Sequence, residues 1–223
     1  MTDVTNEPQE HTGGTGECVQ NRVYDEAQRW PVDRSEQRFS GHIVGVRTDW
    51  VRMPGDEVAA RDVVEHPGSV GILALDDHDR VLLLRQYRHP TGHLLWEPPA
   101  GLRDVDGETL LANAQRELVE EAGYRAQHWH TLVDVFTSPG MADERVRIFL
   151  ARGVSEVPPE ENGFVGVHEE TDMPVEWVSL DEAVTKVLAG HIHNPLAIMG
   201  ILATHAARQN GFTDLRPADV PEE

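Results

Sequence analysis

The sequence predicts an α/β fold in which helices cover a mixed β-sheet, preceded by an N-terminal β arm. Apolar, β-rich runs flank short turn sequences through the first two thirds of the chain, and one amphipathic helix interrupts them. Two further helices follow the last strand. Because the order is strands, helix, strands, helices, a regular βαβ repeat is not expected.

The strands are predicted from their turns. An N-terminal hairpin surrounds PGDE, a second pair of strands surrounds DDHD, and the runs HTLVDVFTSPG and ERVRIFLARGV form a third pair around a Pro-Gly loop. MPVEWVSL is a further strand. The segment WEPPAGL, which contains two prolines, is interpreted as a rigid loop that presents its carbonyl groups in one fixed geometry.

Three helices are predicted from periodicity and capping residues. The first begins after Gly107 and ends at Gly123, which supplies a left-handed stop. The second is SLDEAVTKVLAGH, with Ser179 as its N-cap. The third is NPLAIMGILATHAARQ, in which Asn194 precedes Pro195 in the first turn.

Composition divides the chain into a core and two tails, and it excludes several partners. We expect a disordered tail at 1–20, a β arm at 21–66, a folded main domain at 67–208 and a C-terminal tail without structure at 209–223. The net charge of −20 argues against nucleic acid or an anionic membrane surface as a partner. With one cysteine, Cys18, no secretory signal pattern and no membrane-spanning apolar run, a soluble cytoplasmic protein is expected.

The first helix carries an unusual cluster of three glutamates, Glu117, Glu120 and Glu121. The spacing of its apolar residues predicts a buried stripe formed by Leu111, Ala114, Leu118 and Ala122. Glu117 and Glu121 lie beside that stripe, one turn apart, with Cβ atoms about 5–6 Å from each other. Two such carboxylates can converge on a hard cation such as Mg²⁺. The alternative is a solvated acidic face with an Arg116–Glu120 ion pair.

The stretch GETLLANAQRELVEEAGY resembles the signature box of the Nudix hydrolase family from Glu108 onward. It departs on the N-terminal side, where six residues instead of five separate Gly101 from Glu108. The segments VRMPG, RDVVEHPG, QYRHPTG, LWEPPAGL, SPGMADE and HEETDM resemble the actinobacterial ADP-ribose pyrophosphatase subgroup, in the same order. The resemblance covers roughly residues 40 to 205 and implies a Nudix-like α/β/α sandwich.

The resemblance also implies the catalytic groups. Metal ligands would be Glu117, Glu121 and the backbone carbonyl of Ala100. Glu120 would be an additional or water-mediated ligand, and it would also belong to the catalytic residues. The cofactor would be Mg²⁺, with Mn²⁺ possible, and Glu108 and Arg116 would form a structural ion pair. The base that accepts a proton from the attacking water would be Glu170 first and Glu169 second. The reaction would be hydrolysis of the diphosphate of ADP-ribose to AMP and ribose 5-phosphate.

Substrate contacts are assigned from the same resemblance. The set comprises arginines that grip the diphosphate, acidic side chains near the substrate, and tryptophans that could stack on adenine: Arg61, Arg85, Arg88, Glu97, Glu144, Trp96 and Trp50. Enzymes of this subgroup are homodimers whose N-terminal strands cross to the partner, so the segment 40–66 is expected to be swapped and to bring Arg61 to the partner's site.

Three alternatives stay open. Another nucleoside diphosphate derivative, such as a nucleotide sugar or NADH, would use the same metal and phosphate contacts. A catalytically silent nucleotide sensor would keep the fold without the chemistry. A structural Mg²⁺ or Ca²⁺ protein is disfavoured because the sequence has no EF-hand loop.

Overall fold

The N-terminal arm forms its own antiparallel sheet. The computed structural model describes residues 23–158, 161 and 173–222. Strands β1 (Val32–Ser40), β2 (Gly45–Arg52) and β3 (Val58–Glu65) pair in that order. The predicted hairpin is β2–β3, whereas β1 was not predicted because its sequence, VDRSEQRFS, is polar and lacks a clean alternation.

The second sheet is mixed, as expected from the sequence. Its members are β4 (Ser69–Leu75), β5 (Arg80–Arg88), β6 (His93–Glu97), β7 (Ala100–Leu102), β8 (Tyr124–Phe136), β9 (Arg145–Glu156), β10 (Val175–Ser179) and β11 (Arg216–Pro217). The strand order is β10-β5-β4-β9-β8-β11, with β6 paired to β5 and β7 paired to β4. The β4–β9 pair is parallel, and the other pairs are antiparallel.

Helices cover both faces of this sheet. Helix α1 (Leu110–Ala122) packs on one face, while α2 (Leu180–Leu188) and α3 (Pro195–Gln209) pack on the other. Strand β4 lies between them, and its buried side chains alternate: Ile72 faces α1 and Leu73 faces α3. The α/β/α sandwich is therefore confirmed. None of the helices in the described ranges has both the length and the apolar character required to cross a membrane.

The segment WEPPAGL is not simply a loop. Its ends belong to β6 and β7, and the buried residues Pro98 and Pro99 connect the two strands. The carbonyl of Pro99 accepts a hydrogen bond from the Ile72 amide at 2.8 Å. Proline has no N–H to pair, so two prolines can sit between two short strands without leaving a buried donor unsatisfied.

The C-terminal segment differs from the predicted unstructured tail. It adds β11 to the edge of the sheet, and Thr131 donates its hydroxyl to the Pro217 carbonyl at 3.0 Å. Arg147 is 2% exposed and donates to the Val220 carbonyl at 2.5 Å. It also forms a bidentate pair with Asp134, at 2.7 and 3.0 Å. The sequence of this segment is polar and contains proline, so its order comes from contacts with β8 and β9 rather than from local propensity.

Loss of the Asp134 charge is expected to destabilise the fold. Desolvation alone would raise the pKa of Asp134, but hydrogen bonds from Arg147 and Arg216 outweigh it and hold the pKa below its usual range. Asp134→Asn would leave the Arg147 guanidinium buried without a counter-charge, so we expect the free energy of unfolding to fall by roughly 3 kcal/mol. Urea denaturation followed by tryptophan fluorescence measures this.

The matched control for that variant is Asp181→Asn. Asp181 pairs with Arg208 but is 68% exposed, so its loss is expected to cost less than about 1 kcal/mol. Equal effects of the two variants would contradict the interpretation that burial of Arg147 makes its pairing important. Because the folded-state pKa of Asp134 is lowered, its stabilising contribution is present above the unfolded pKa and is lost as the pH falls through the folded pKa.

Candidate active site

Helix α1 is fixed at both ends, and this determines where its glutamates lie. Thr109 caps the N-terminus, where its hydroxyl accepts from the Ala112 amide at 3.1 Å. Gly123 ends the helix with φ 71°, in the left-handed region, as predicted. Ala114 and Leu118 are fully buried against the sheet. With that face inward, Glu117 and Glu121 lie against the neighbouring strand β7.

Glu117 lies directly against the backbone of β7. A Cβ atom placed on Gly101 would be 2.2 Å from Oε1 of Glu117, so the two groups are in contact because position 101 has no side chain. Only 13% of the Glu117 side chain is exposed. Desolvation by burial raises the pKa of Glu117 to about 7, although the adjacent Arg116 guanidinium acts in the opposite direction.

Glu121 contacts the same strand one residue earlier. Its Oε2 accepts a hydrogen bond from the Ala100 amide at 2.8 Å. Successive carbonyls of an extended strand point to opposite sides. Since the Pro99 carbonyl bonds to Ile72 of β4, the Ala100 carbonyl faces away from β4, toward the side on which Glu121 lies. Two carboxylates and one carbonyl oxygen therefore belong to one region.

Arg116 neutralises much of the acidic cluster. Its Nε and Nη2 donate to the two oxygens of Glu108, both at 3.0 Å. Its Nη1 donates to Glu117 at 2.7 Å and to Glu120 at 2.9 Å. The expected Glu108–Arg116 pair is present, and so is the Arg116–Glu120 pair of the alternative interpretation. The burial of Glu117 nevertheless distinguishes this helix from a fully solvated acidic face.

The residues of this region fit a divalent cation through their donor chemistry. Carboxylate and carbonyl oxygens are the ligands that Mg²⁺ and Mn²⁺ accept. Across residues 23–158, 161 and 173–222, no three His, Cys, Asp or Glu side chains converge into a complete metal cage. Glu120 instead reaches Arg116. Magnesium commonly takes one or two carboxylates and completes its shell with water and substrate phosphates, so a pair of carboxylates is compatible with a magnesium site.

A second constellation links the last residues of the antiparallel strands β5 and β6. Arg88 forms a bidentate pair with Glu97 through its Nε at 2.9 Å and its Nη2 at 3.0 Å. Glu97 is 2% exposed, whereas 42% of the Arg88 side chain is exposed. Burial raises the pKa of Glu97, and the Arg88 hydrogen bonds oppose that shift. Glu97 therefore anchors the Arg88 guanidinium from inside the protein, and part of the Arg88 side chain stays exposed.

The other predicted substrate residues are distributed more widely. Arg85 stacks over the Trp96 ring, with its Cζ atom 5.9 Å from the ring centroid. Glu144 accepts a short hydrogen bond from Thr137 and lies 3.5 Å from Nδ1 of His66. His66 was not singled out in the sequence, because an isolated histidine carries no signal of its own.

Within one chain, Arg61 and Trp50 do not lie at helix α1. Arg61 is exposed on β3 and donates to the Ala60 carbonyl at 2.9 Å. Trp50 packs within the arm sheet, with Arg34 3.6 Å above its ring. Both proposed base residues, Glu169 and Glu170, lie outside the described residues, as does the predicted tail at 1–20.

Comparison with known proteins agrees with this geometry. The NUDIX domain family matches residues 65–196. An ADP-ribose pyrophosphatase of Mycobacterium tuberculosis (strain ATCC 25618 / H37Rv) is 48% identical over 83% of this chain and 87% of the relative. A methanol dehydrogenase activator of Bacillus methanolicus is 32% identical over 75% of this chain and 88% of the relative.

A solved structure, described as that of an ADP compounds hydrolase, shares the fold with a TM-score of 0.67. It is 18% identical and covers 84% of this chain and 99% of the other. The family match spans more than half of the chain and includes both α1 and the strand that its glutamates contact. Nudix hydrolases generally use divalent metals, in agreement with the oxygen donors found here. This chain is a member of the NUDIX domain family and a Nudix diphosphatase.

Proposed function

We propose that the protein hydrolyses the diphosphate of ADP-ribose to AMP and ribose 5-phosphate. The observation that carries the proposal is the convergence of Glu117 and Glu121 on the backbone of Ala100 and Gly101, together with an exposed arginine anchored by a buried glutamate. The 48% identical relative is named ADP-ribose pyrophosphatase, which favours this substrate among nucleoside diphosphates.

The cofactor in this proposal is Mg²⁺, or Mn²⁺ in its place. Glu117, Glu121 and the carbonyl of Ala100 would hold it, with Glu120 as a further or water-mediated contact. When bound, the cation supplies positive charge that stabilises the anionic oxygens of the diphosphate. In a chain whose net charge is −20, local positive charge of this kind is required for an anionic substrate to bind.

The other side chains of the proposed site would bind the substrate and accept a proton. Arg88, held by Glu97, would bind a phosphate oxygen through its exposed edge, and Arg85 would contribute a second cation nearby. A water molecule would attack one phosphorus in line with the leaving oxygen, and Glu170, or else Glu169, would accept its proton. Glu144 would contact the terminal ribose, and Trp96 would be available to stack on a base. A cytoplasmic location belongs to the same proposal, since the chain has a single cysteine.

The reaction is tested by incubating the protein with nucleoside diphosphate derivatives, with and without Mg²⁺, and identifying the products by mass. We expect Mg²⁺-dependent release of AMP and ribose 5-phosphate, with ADP-ribose consumed fastest. If a nucleotide sugar or NADH were consumed faster, that compound would be the preferred substrate instead of ADP-ribose. Binding without any product would indicate a sensor.

Glu121→Gln removes charge but little volume and should lower turnover roughly 100- to 1,000-fold. The control is Glu182→Gln, which changes an exposed ion pair on α2.

The contact between Gly101 and Glu117 provides an independent test. Gly101→Ala places a methyl group 2.2 Å from the Glu117 carboxylate and should displace it, because the backbone of β7 is paired with β4 and cannot retreat. We expect a fall in kcat of about 100-fold, with a circular dichroism spectrum like that of the wild type.

Gly200→Ala is the control for the strain that an added methyl group causes. It meets a Leu73 methyl carbon at 2.1 Å on the opposite face of the sheet, so it disturbs the core but not the glutamates. We expect a lower thermal midpoint and an unchanged kcat for the folded protein. A Gly101→Ala enzyme with wild-type kcat would show that the Glu117 position is unimportant.

We also propose that the arm at 21–66 mediates a homodimer and is swapped between the two copies. Every residue of β1 is exposed, and the arm carries exposed large apolar side chains, which include Tyr24, Trp30, Val32, Phe39 and Ile43. Exposed apolar surface of this kind is typical of association sites. The arm is also linked to the segment SPGMADE, since the Val64 amide donates to the Met141 carbonyl at 2.8 Å.

Subunit complementation tests the swap. If Arg61 acts in the partner's site, Arg61→Ala and Glu121→Gln proteins should regain activity after mixing, because one site of each heterodimer has neither substitution. The expected recovery approaches a quarter of wild-type turnover when exchange is complete, and light scattering verifies the dimer. Mixed samples that stay as inactive as the separate variants, despite verified exchange, would place Arg61 in its own subunit's site or in none.

A further inference from the structure

Asn194, at the start of α3, uses both ends of its side-chain amide. Its Oδ1 accepts from the Ala197 amide at 3.0 Å, which caps the helix. Its Nδ2 donates to Oε2 of Glu97 at 2.5 Å. The side chain is buried, with 7% of the residue exposed. The sequence predicted that Asn194 lies at the start of this helix, but the contact with Glu97 spans 97 positions and has no local signature.

Glu97 needs this donor because of where it lies. It is 2% exposed, and a carboxylate removed from water is costly unless its oxygens are hydrogen bonded. Arg88 supplies bonds to both oxygens, and Asn194 supplies a further bond to Oε2. The three groups therefore form one connected unit, in which α3 fixes Glu97 and Glu97 fixes the Arg88 guanidinium.

We propose that Asn194 is a positioning residue for diphosphate binding: it holds Glu97, and through Glu97 it sets the orientation in which Arg88 presents its exposed edge to the substrate. The inference rests on the proposed function, because it requires a diphosphate ligand at Arg88. Asn194 is buried and acts only through Glu97, so it does not touch the substrate.

If Asn194 served only to cap α3, the expected results would differ, and two substitutions distinguish capping from positioning. Ser and Asp cap helices about as well as Asn does. Asn194→Ser keeps the cap but is too short to reach Glu97, and Asn194→Asp keeps the cap but cannot donate. If Asn194 only caps α3, both variants should bind and turn over substrate like the wild type.

Under the proposal, Asn194→Ser should raise KM about tenfold and change kcat by less than threefold, because Arg88 contributes mainly to substrate binding. The dissociation constant of a methylene-bridged, non-hydrolysable analogue of ADP-ribose, measured by calorimetry, should rise by the same factor. Ile201→Val is the control, since it trims a fully buried side chain of the same helix and lowers stability without touching Glu97. If repulsion between the introduced Asp carboxylate and Glu97 prevents the Asp variant from folding, the Ser variant alone is sufficient to test the proposal.

A double-mutant cycle shows whether the effect passes through Arg88. In an Arg88→Ala background the Asn194→Ser substitution should change analogue binding by less than twofold, because the group that it positions is gone. Multiplicative effects of the two substitutions, or a Ser variant that binds as tightly as the wild type, would overturn the proposal.

The binding cycle also separates this proposal from the proposed function. A wild-type protein that binds the analogue but cleaves no member of the substrate panel would refute the hydrolase assignment, while the cycle would still support or refute the role of Asn194. A wild-type protein that does not bind the analogue refutes both.

Discussion

The contact between helix α1 and strand β7 is the constraint on which the site depends. Glu121 accepts a hydrogen bond from the Ala100 amide, and Glu117 rests against the bare Cα of Gly101. These contacts place two carboxylates on one stretch of extended backbone. The carbonyl of Ala100 in that stretch faces the same side as the carboxylates. A helix that merely displayed acidic residues to solvent would leave them free to separate. Here the register between α1 and β7 fixes their location before any ligand arrives.

The electrostatic cost of burying the glutamate carboxylates opposes this arrangement of α1 against β7. Burying carboxylates in a chain with a net charge of −20 is unfavourable, and Arg116 offsets part of the cost by bonding to Glu108, Glu117 and Glu120 together. The raised pKa of Glu117, about 7, shows that this compensation is incomplete. A divalent cation would add the positive charge that one guanidinium does not supply.

The sequence predicted what local patterns encode. Periodicity and capping residues located the three helices of the described ranges and the stop at Gly123, and turn residues located the main hairpins. The short strand β7 was missed, because three residues that follow two prolines carry no alternation. The ordered C-terminal segment was missed because its partners, Thr131 and Arg147, lie far away in sequence. Within the site, the box glutamates followed from spacing and resemblance, whereas the Asn194–Glu97 contact depends on the packing of α3.

These contacts explain why the segment from Glu97 to Gly101 is held so firmly. From one face of the sheet, α3 reaches Glu97 through Asn194, and from the other, α1 reaches Ala100 through Glu121. Between these two points, the Pro99 carbonyl is bonded to β4. A five-residue segment is thus anchored by both helical layers and by the central sheet. Because Arg88, the arginine proposed to bind the diphosphate, is attached at one end of the segment and the carboxylates at the other, a shift of either helix would change the distance between them. The two-sided core therefore sets the geometry of the site.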